Sequence, residues 1–126
     1  MRKGVGADQR KPFSMLFFAD SFDHPLEKEQ AGIYAEALEA VRLAPSAVNY
    51  QPWRAVVGDC GVHFFLTRNM KQGGLDLQKT DIGIALCHFE AAATANGMIT
   101  AFQRLDGKDF TPEGMEYIAS YRVDIA

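Results

Sequence analysis

The chain has 126 residues, which corresponds to one small domain. Its composition, 48% hydrophobic and 23% charged, is that of a globular protein, and its net charge of -3 argues against nucleic acid or an anionic membrane as partner. No apolar stretch is long enough to span a bilayer, and Cys60 and Cys87 lack metal-ligand spacing, so we expect a cytoplasmic protein with reduced thiols and no metal site.

The first 25 residues are expected to be an entering tail and connector. Residues 1–12 are polar and glycine-rich, Phe13 to Phe18 is a short apolar piece that predicts one helical turn, and Asp20 to Pro25 is rich in turn-forming residues. Residues 26–126 are predicted to form the domain proper.

A first amphipathic helix is predicted from about Leu26 or Glu27 to Ala44. Its apolar residues recur at helical spacing on one face, and acidic and basic residues occupy the other. Pro45 is expected to end this helix, because proline cannot continue the helical hydrogen bonding. The apolar face comprises Tyr34, Ala37, Leu38 and Val41.

The stretch PSAVNYQPW, residues 45–53, follows this helix as a loop fixed by a proline near each end. Ser46, Asn49 and Gln51 offer neutral groups that both donate and accept hydrogen bonds. Such groups suit the edge of a flat heterocycle better than a metal or a phosphate. The alternative is that Ser46 and Asn49 only satisfy backbone groups of a turn.

Two strands are predicted after the loop, Trp53–Val57 and Val62–Thr67. They flank Gly58–Gly61, which has the composition of a hairpin turn. Residues 68–78 are polar and are predicted to form a loop with a break at Gly73-Gly74.

A second helix is predicted from about Asp81 to Asn96, with Thr80 as N-cap and Gly97 just beyond its end. Apolar residues occur on two opposite sides of this helix. Because a domain of this size has little material to bury both sides, we expect one side to pack on the sheet and the other to meet a partner surface. His88 is interpreted as a core or interface histidine. The two sides comprise Ile82, Ala85, Leu86, Phe89 and Ala93, and Ile84, Cys87 and Ala91.

Two further strands, Met98–Leu105 and Met115–Val123, complete the pattern. Two substantial helices against a mainly antiparallel sheet indicate the α+β class. The sequence shows no convincing general acid or base, so no catalytic residue is predicted.

Two blocks of sequence resemble the flavin-dependent nitroreductases: Val41–Trp53, which contains the loop, and Thr80–Glu90 in the second helix. The resemblance covers roughly residues 36–105. It implies a nitroreductase fold, an FMN cofactor, and hydride transfer from NAD(P)H to a nitro or quinone acceptor. By resemblance, Pro45, Ser46, Ala47 and Asn49 would contact the flavin ring edge or its ribityl chain. Gln51 could support the loop instead.

The Arg-x-Ser-x-Arg segment with which nitroreductases usually hold the flavin phosphate does not occur in this sequence. The chain therefore resembles the C-terminal half of a tandem nitroreductase, in which the other half, or a homodimer partner, would hold the phosphate. A homodimer could instead build a phosphate site from Arg2, Lys3, Arg10 and Lys11. The alternative function is a non-catalytic interaction module that kept the fold and lost the cofactor.

Overall fold

The computed structural model describes residues 11–44, 53–59, 61–67, 74–105, 111 and 114–125, with the backbone alone for 74–81. The elements in chain order are α1 (Phe13–Leu16), β1 (Phe17–Ala19), α2 (Ala35–Arg42), β2 (Trp53–Val57), β3 (Gly61–Thr67), α3 (Gly74–Ala95), β4 (Met98–Gln103) and β5 (Met115–Ile125). Short 3-10 turns at Lys28–Gln30 and Gly32–Tyr34 precede α2.

The strands form a five-stranded sheet in the order β1-β2-β3-β5-β4. β1 and β2 are parallel, since the chain crosses from one to the other through α2. The other three pairings are antiparallel. The prediction of an α+β fold with a mainly antiparallel sheet is confirmed.

One face of the sheet, here called the helix-covered face, packs against α2 and α3. Trp53, Phe64 and Phe89 are fully buried in this layer, and the Phe64 and Phe89 rings meet edge to face at 5.2 Å. The predicted apolar faces of the two helices are confirmed, because α2 buries Ala37, Leu38 and Val41 and α3 buries Ile82, Ala85, Phe89 and Ala93.

The opposite side of the sheet, here called the second face, has a smaller cluster. Side chains alternate along a strand, so Phe65 points away from its neighbour Phe64. Phe65 packs with Val56 and Tyr117, and Phe18 and Phe22 cover them in part. Among the described residues, the second face therefore buries apolar surface without a helix above it.

The first helix begins later than predicted. Residues 28–34 form two 3-10 turns, and α2 starts at Ala35. Gly32 adopts a φ of 57°, which a continuous right-handed helix does not allow. The apolar spacing was therefore correct for α2 itself but not for the residues before it.

Phe13 to Phe18 contains both a helical turn and the start of a strand. The predicted turn is confirmed as α1, but the chain becomes extended at Phe17 and β1 joins the sheet beside β2. A continuous apolar run does not distinguish helix from strand, which is why β1 was missed. The division of the chain at residue 25 stays a prediction.

The second helix is longer than predicted. α3 begins at Gly74, so Thr80 lies inside it and is not its N-cap, and residues 74–78 are helical instead of a loop. The predicted end is confirmed: Gly97 has a φ of 83°, and its N–H donates to the Thr94 carbonyl.

The remaining strands are close to their predicted bounds. β2 matches its prediction, β3 starts one position earlier, and β5 continues to Ile125. The Gly58 N–H donates to the Gly61 carbonyl at 2.8 Å across the predicted hairpin turn. Within the described part of the chain, no helix is both long and apolar enough to cross a membrane.

Candidate functional site

The predicted flavin-loop residues Pro45, Ser46, Ala47, Asn49 and Gln51 all lie outside the described residues. The structure does describe both flanks of that loop. α2 ends at Arg42 before it, and β2 begins at Trp53 after it. The described part of the candidate site therefore consists of these two flanks and of the end of the sheet next to them.

On the helix flank, Arg42 holds the end of α2 in place. Its Nε and Nη2 donate to the two carboxylate oxygens of Glu39 at 2.8 and 2.9 Å, and its Nη1 donates to the Lys11 carbonyl at 3.2 Å. The hydrogen bonds between the two side chains lower the pKa of Glu39 and raise the pKa of Arg42. The Arg42 guanidinium therefore already donates hydrogen bonds to groups of this chain.

On the strand flank, Trp53 presents a polar group that needs a partner. The side chain is fully buried, and its Nε1 has no hydrogen-bond acceptor among the described residues. Indole nitrogen only donates, and leaving a buried donor unpaired costs about 1–3 kcal/mol. An acceptor supplied from the adjoining loop or from a ligand would remove that cost.

Trp53 is the first residue of β2, an inner strand of the sheet. Trp53 pairs with Leu66 near the end of β3, and Leu66 pairs with Glu116 near the start of β5. A recess of about 260 Å³ includes Glu116 and lies against the first described side chains of α3. This recess is mainly apolar, with one basic and one acidic residue, and is lined by Ile82, Gly83, Leu86, Arg104, Glu116 and Ile118.

The chain is similar to a known protein family over most of its length. Residues 2–93 match the family model described as "Putative TM nitroreductase". The chain belongs to this nitroreductase family. The match includes the complete 45–53 loop and ends within α3, while no curated protein matches the chain significantly. Membership of a nitroreductase family indicates an oxidoreductase-like role.

The outward side of α3 is exposed in this nitroreductase-family chain. Cys87, His88 and Ala91 are exposed, while Ile84 is half-buried. The interpretation of His88 as a core histidine is wrong, because its ring lies at the surface and its Nδ1 donates to the Ile84 carbonyl at 2.9 Å. The interface role predicted for this side of the helix stays a prediction.

Glu90 is exposed and accepts a hydrogen bond from the Tyr121 hydroxyl at 3.1 Å. Burial of the Tyr121 ring, together with this carboxylate, raises the pKa of its hydroxyl far above the ordinary value. Tyr121 is therefore a neutral structural donor and a strand residue, as predicted. Arg68 and Lys71, two basic residues of the 68–78 segment, lie outside the described residues, and so does the side chain of Asp81.

His63 is hydrogen-bonded to a neighbouring strand. Its Nδ1 is hydrogen-bonded to Ser120 Oγ at 2.6 Å, Ser120 Oγ to the Tyr117 hydroxyl at 2.7 Å, and the Leu105 N–H donates to that hydroxyl at 2.9 Å. Burial lowers the pKa of His63. Because side chains alternate along β3, His63 lies beside Phe65 on the second face. A histidine two positions before a buried phenylalanine in a strand is the sequence signal that could have predicted this position.

Proposed function

We propose that this chain is part of an FMN-dependent oxidoreductase and supplies the loop that contacts the flavin ring. When bound, FMN would supply hydride transfer between NAD(P)H and a nitro or quinone acceptor. The observation that carries the proposal is the family match, which spans the whole PSAVNYQPW loop.

Within that loop we assign the ring contacts to Ser46 and Asn49. Their neutral hydrogen-bonding groups can donate to or accept from the polar edge of the ring. Pro45 and Ala47 would shape the backbone beside the ring, and Gln51 would support the loop.

The described flanks fit such a role in two respects. Arg42 fixes one end of the loop through Glu39 and the Lys11 carbonyl, and β2 fixes the other. The buried Trp53 Nε1 is a donor that an acceptor from the ordered loop or its ligand would satisfy. Fixed ends are what a positioning loop requires, because a site held on rigid elements loses less entropy on binding.

The flavin phosphate is assigned to a second unit, either another nitroreductase-like half or a second copy of this chain. The sequence has no Arg-x-Ser-x-Arg segment, and Arg42 already donates to Glu39 and Lys11. A phosphate is best held by charge-assisted donors, which this chain would then receive from its partner. The exposed side of α3 around Cys87 and Ala91 is the surface proposed to meet that partner.

FMN titration of the complete assembled protein tests the proposal. The single tryptophan of the chain, Trp53, is the last residue of the PSAVNYQPW stretch, so quenching of its fluorescence should report flavin binding. Asn49→Ala should weaken FMN binding about tenfold, the equivalent of one hydrogen bond, or slow flavin reduction by NAD(P)H. Asn96→Ala, at the exposed end of α3, is the matched control and should change neither.

The outcomes separate the two functions under consideration. An unchanged flavin content and reduction rate in Asn49→Ala would remove Asn49 from the site. Failure of the wild-type protein to retain FMN after desalting, both alone and with its partner half, would favour the non-catalytic interaction module. Light scattering on the same samples gives the oligomeric state that accompanies each result.

A further inference from the structure

A pocket adjoins the end of β2 opposite to Trp53. Its volume is about 480 Å³, and it opens on the second face of the sheet, between the turn after β1 and the hairpin from β2 to β3. The loop enters β2 at Trp53, whereas this pocket includes Val56 and Gly58 at the other end of that strand. At about 3.3 Å per residue the two ends of β2 are about 13 Å apart.

The inner walls of this pocket are apolar and partly aromatic. Val56 and Phe65 are buried in the sheet, and the Phe22 ring packs edge to face against Phe65 at 5.0 Å with an angle of 72°. Phe65 is only 1% exposed, so a ligand ring would meet mainly the half-buried Phe22 ring, and aromatic rings favour edge-to-face or offset contacts with one another. The walls therefore suit a flat aromatic group.

The rim of the pocket is acidic. Asp20 and Asp59 line it from opposite segments, and neither carboxylate has an ion-pair partner in the described part of the chain. Asp20 is held in place by its N–H, which donates to the Val57 carbonyl at 2.8 Å. Asp59 belongs to the hairpin closed by the bond from Gly58 to Gly61. Two positioned negative charges at one opening favour a cation.

His63 contributes a polar but uncharged ring to the pocket. Burial lowers its pKa, so the imidazole is neutral at pH 7, and its Nδ1 is already bonded to Ser120. The Nε2 side of the ring faces the hairpin, since a Cβ placed on Gly58 would lie 3.7 Å from that atom. The pocket thus combines aromatic walls, a neutral imidazole and two carboxylates.

We propose that this pocket binds a small aromatic cation, with its ring against Phe22 and its charged group near Asp20 and Asp59. A cation over an aromatic face gains from the ring quadrupole as well as from the carboxylates. Phosphate-bearing molecules such as FMN and NAD(P)H are disfavoured at the same rim by like charge. The site is therefore distinct from the proposed flavin site and does not depend on it.

Three probes of one shape test the proposal on the full chain: benzamidine, which is cationic, benzamide, which is neutral, and benzoate, which is anionic. Calorimetric titration should show benzamidine binding at millimolar or lower concentration and about tenfold more tightly than benzamide. Benzoate should not bind. The probe series uses the wild-type protein, so its result does not depend on the folding of a variant.

Variants locate the binding. Asp20→Asn with Asp59→Asn should weaken benzamidine binding about tenfold, and Phe22→Ala should weaken all ring-bearing probes. Glu36→Gln with Asp124→Asn changes the net charge equally at two exposed acids outside the pocket and should leave binding unchanged.

Three results would overturn the proposal: no benzamidine binding at millimolar concentration, equal binding of benzamidine and benzamide, or equal weakening by the control pair. FMN retention measured on the same samples keeps this test apart from that of the proposed function. A variant that loses benzamidine binding but keeps FMN binding places its changed residues in the pocket. A variant that loses FMN binding but keeps benzamidine binding places them in the flavin site.

Discussion

The two faces of the sheet are buried by different means. The helix-covered face packs against α2 and α3, with Trp53, Phe64 and Phe89 fully enclosed. On the second face, Val56, Phe65 and Tyr117 lie on three neighbouring strands and bury one another. Aromatic rings from β1 and the turn after it cover them in part. Two helices pack on the helix-covered face, whereas a turn covers only part of the second face and leaves a cavity beside it.

The polar content of the two faces differs accordingly. Ser120 is the buried polar side chain among the described residues, and it bonds His63 and Tyr117 on the second face. A buried hydroxyl is tolerated when its partners are in place. The thinner cover thus coincides with the hydrogen-bonded chain and with the pocket, which makes this face the one suited to specific small-molecule contacts.

The largest expected effect separates the two faces directly. Phe64→Ala should lower the free energy of unfolding by about 3–5 kcal/mol, because helices and sheet enclose the cavity left behind. Phe22→Ala, on the half-exposed cover of the second face, should lower it by about 1 kcal/mol, since about half of a buried ring's transfer energy is lost. Urea unfolding measures both, and equal losses would show that the two faces are packed alike.

A pair of glycines gives the next largest effect. A Cβ at Gly61 would lie 1.9 Å from the Tyr121 carbonyl oxygen, so Gly61→Ala must push β3 away from β5 and should cost about 1–3 kcal/mol. Nothing lies within 4 Å of a Cβ at Gly83 on α3, so Gly83→Ala should raise stability by about 1 kcal/mol. Thermal unfolding compares the two, and a stabilised Gly61→Ala variant would contradict the close approach of these strands.

The smallest effect concerns pH and again distinguishes the second face. Because burial lowers the pKa of His63 in the folded state, the unfolded chain binds a proton more readily as the pH falls below the ordinary value of 6.5. Stability should therefore decrease from that pH down to the folded-state pKa of His63. Unfolding midpoints recorded across this range should show the slope in the wild type and a flatter profile in His63→Gln. An identical slope in the variant would assign the pH dependence to other groups.

Local patterns in the sequence predicted the elements whose apolar spacing is regular. The helical spacing of Leu38 and Phe89 predicted faces that the structure buries, and the turn-forming residues Gly58–Gly61 separated the two strands as expected. Gly97 marked a helix end correctly, because a residue with positive φ stops a right-handed helix.

The misplaced boundaries arose where a local signal competed with a longer element. Thr80 is a good N-cap residue, but the leucine, glutamine and lysine before it are good helix formers, and α3 continues back through them to Gly74. Gly32 interrupts the first helix although the spacing of its neighbours would permit one. Such competition is decided by tertiary packing, which a single sequence does not contain.

The two candidate sites differ in how far they could be predicted. The flavin loop is one continuous stretch with its own motif, so its family could be recognised from that stretch even though residues 45–52 lie outside the described part of the structure. The acidic pocket is assembled from the turn at Asp20, the hairpin at Asp59 and the strand at His63. These segments meet only because β1 pairs with β2, and β1 itself was not predicted.

That dependence on β1 has a kinetic consequence. β1 has three residues, lies at the edge of the sheet and reaches β2 through the α2 crossover, so its pairing encloses a long loop whose entropy must be offset by few contacts. We expect it to dock after the β2–β3 hairpin has formed and to open before the rest of the sheet, with the Asp20 amide exchanging its hydrogen sooner than amides in β3. Each opening of β1 would displace Asp20 and Phe22, which line the pocket. The rate at which this edge strand detaches would therefore limit how long a ligand stays bound there.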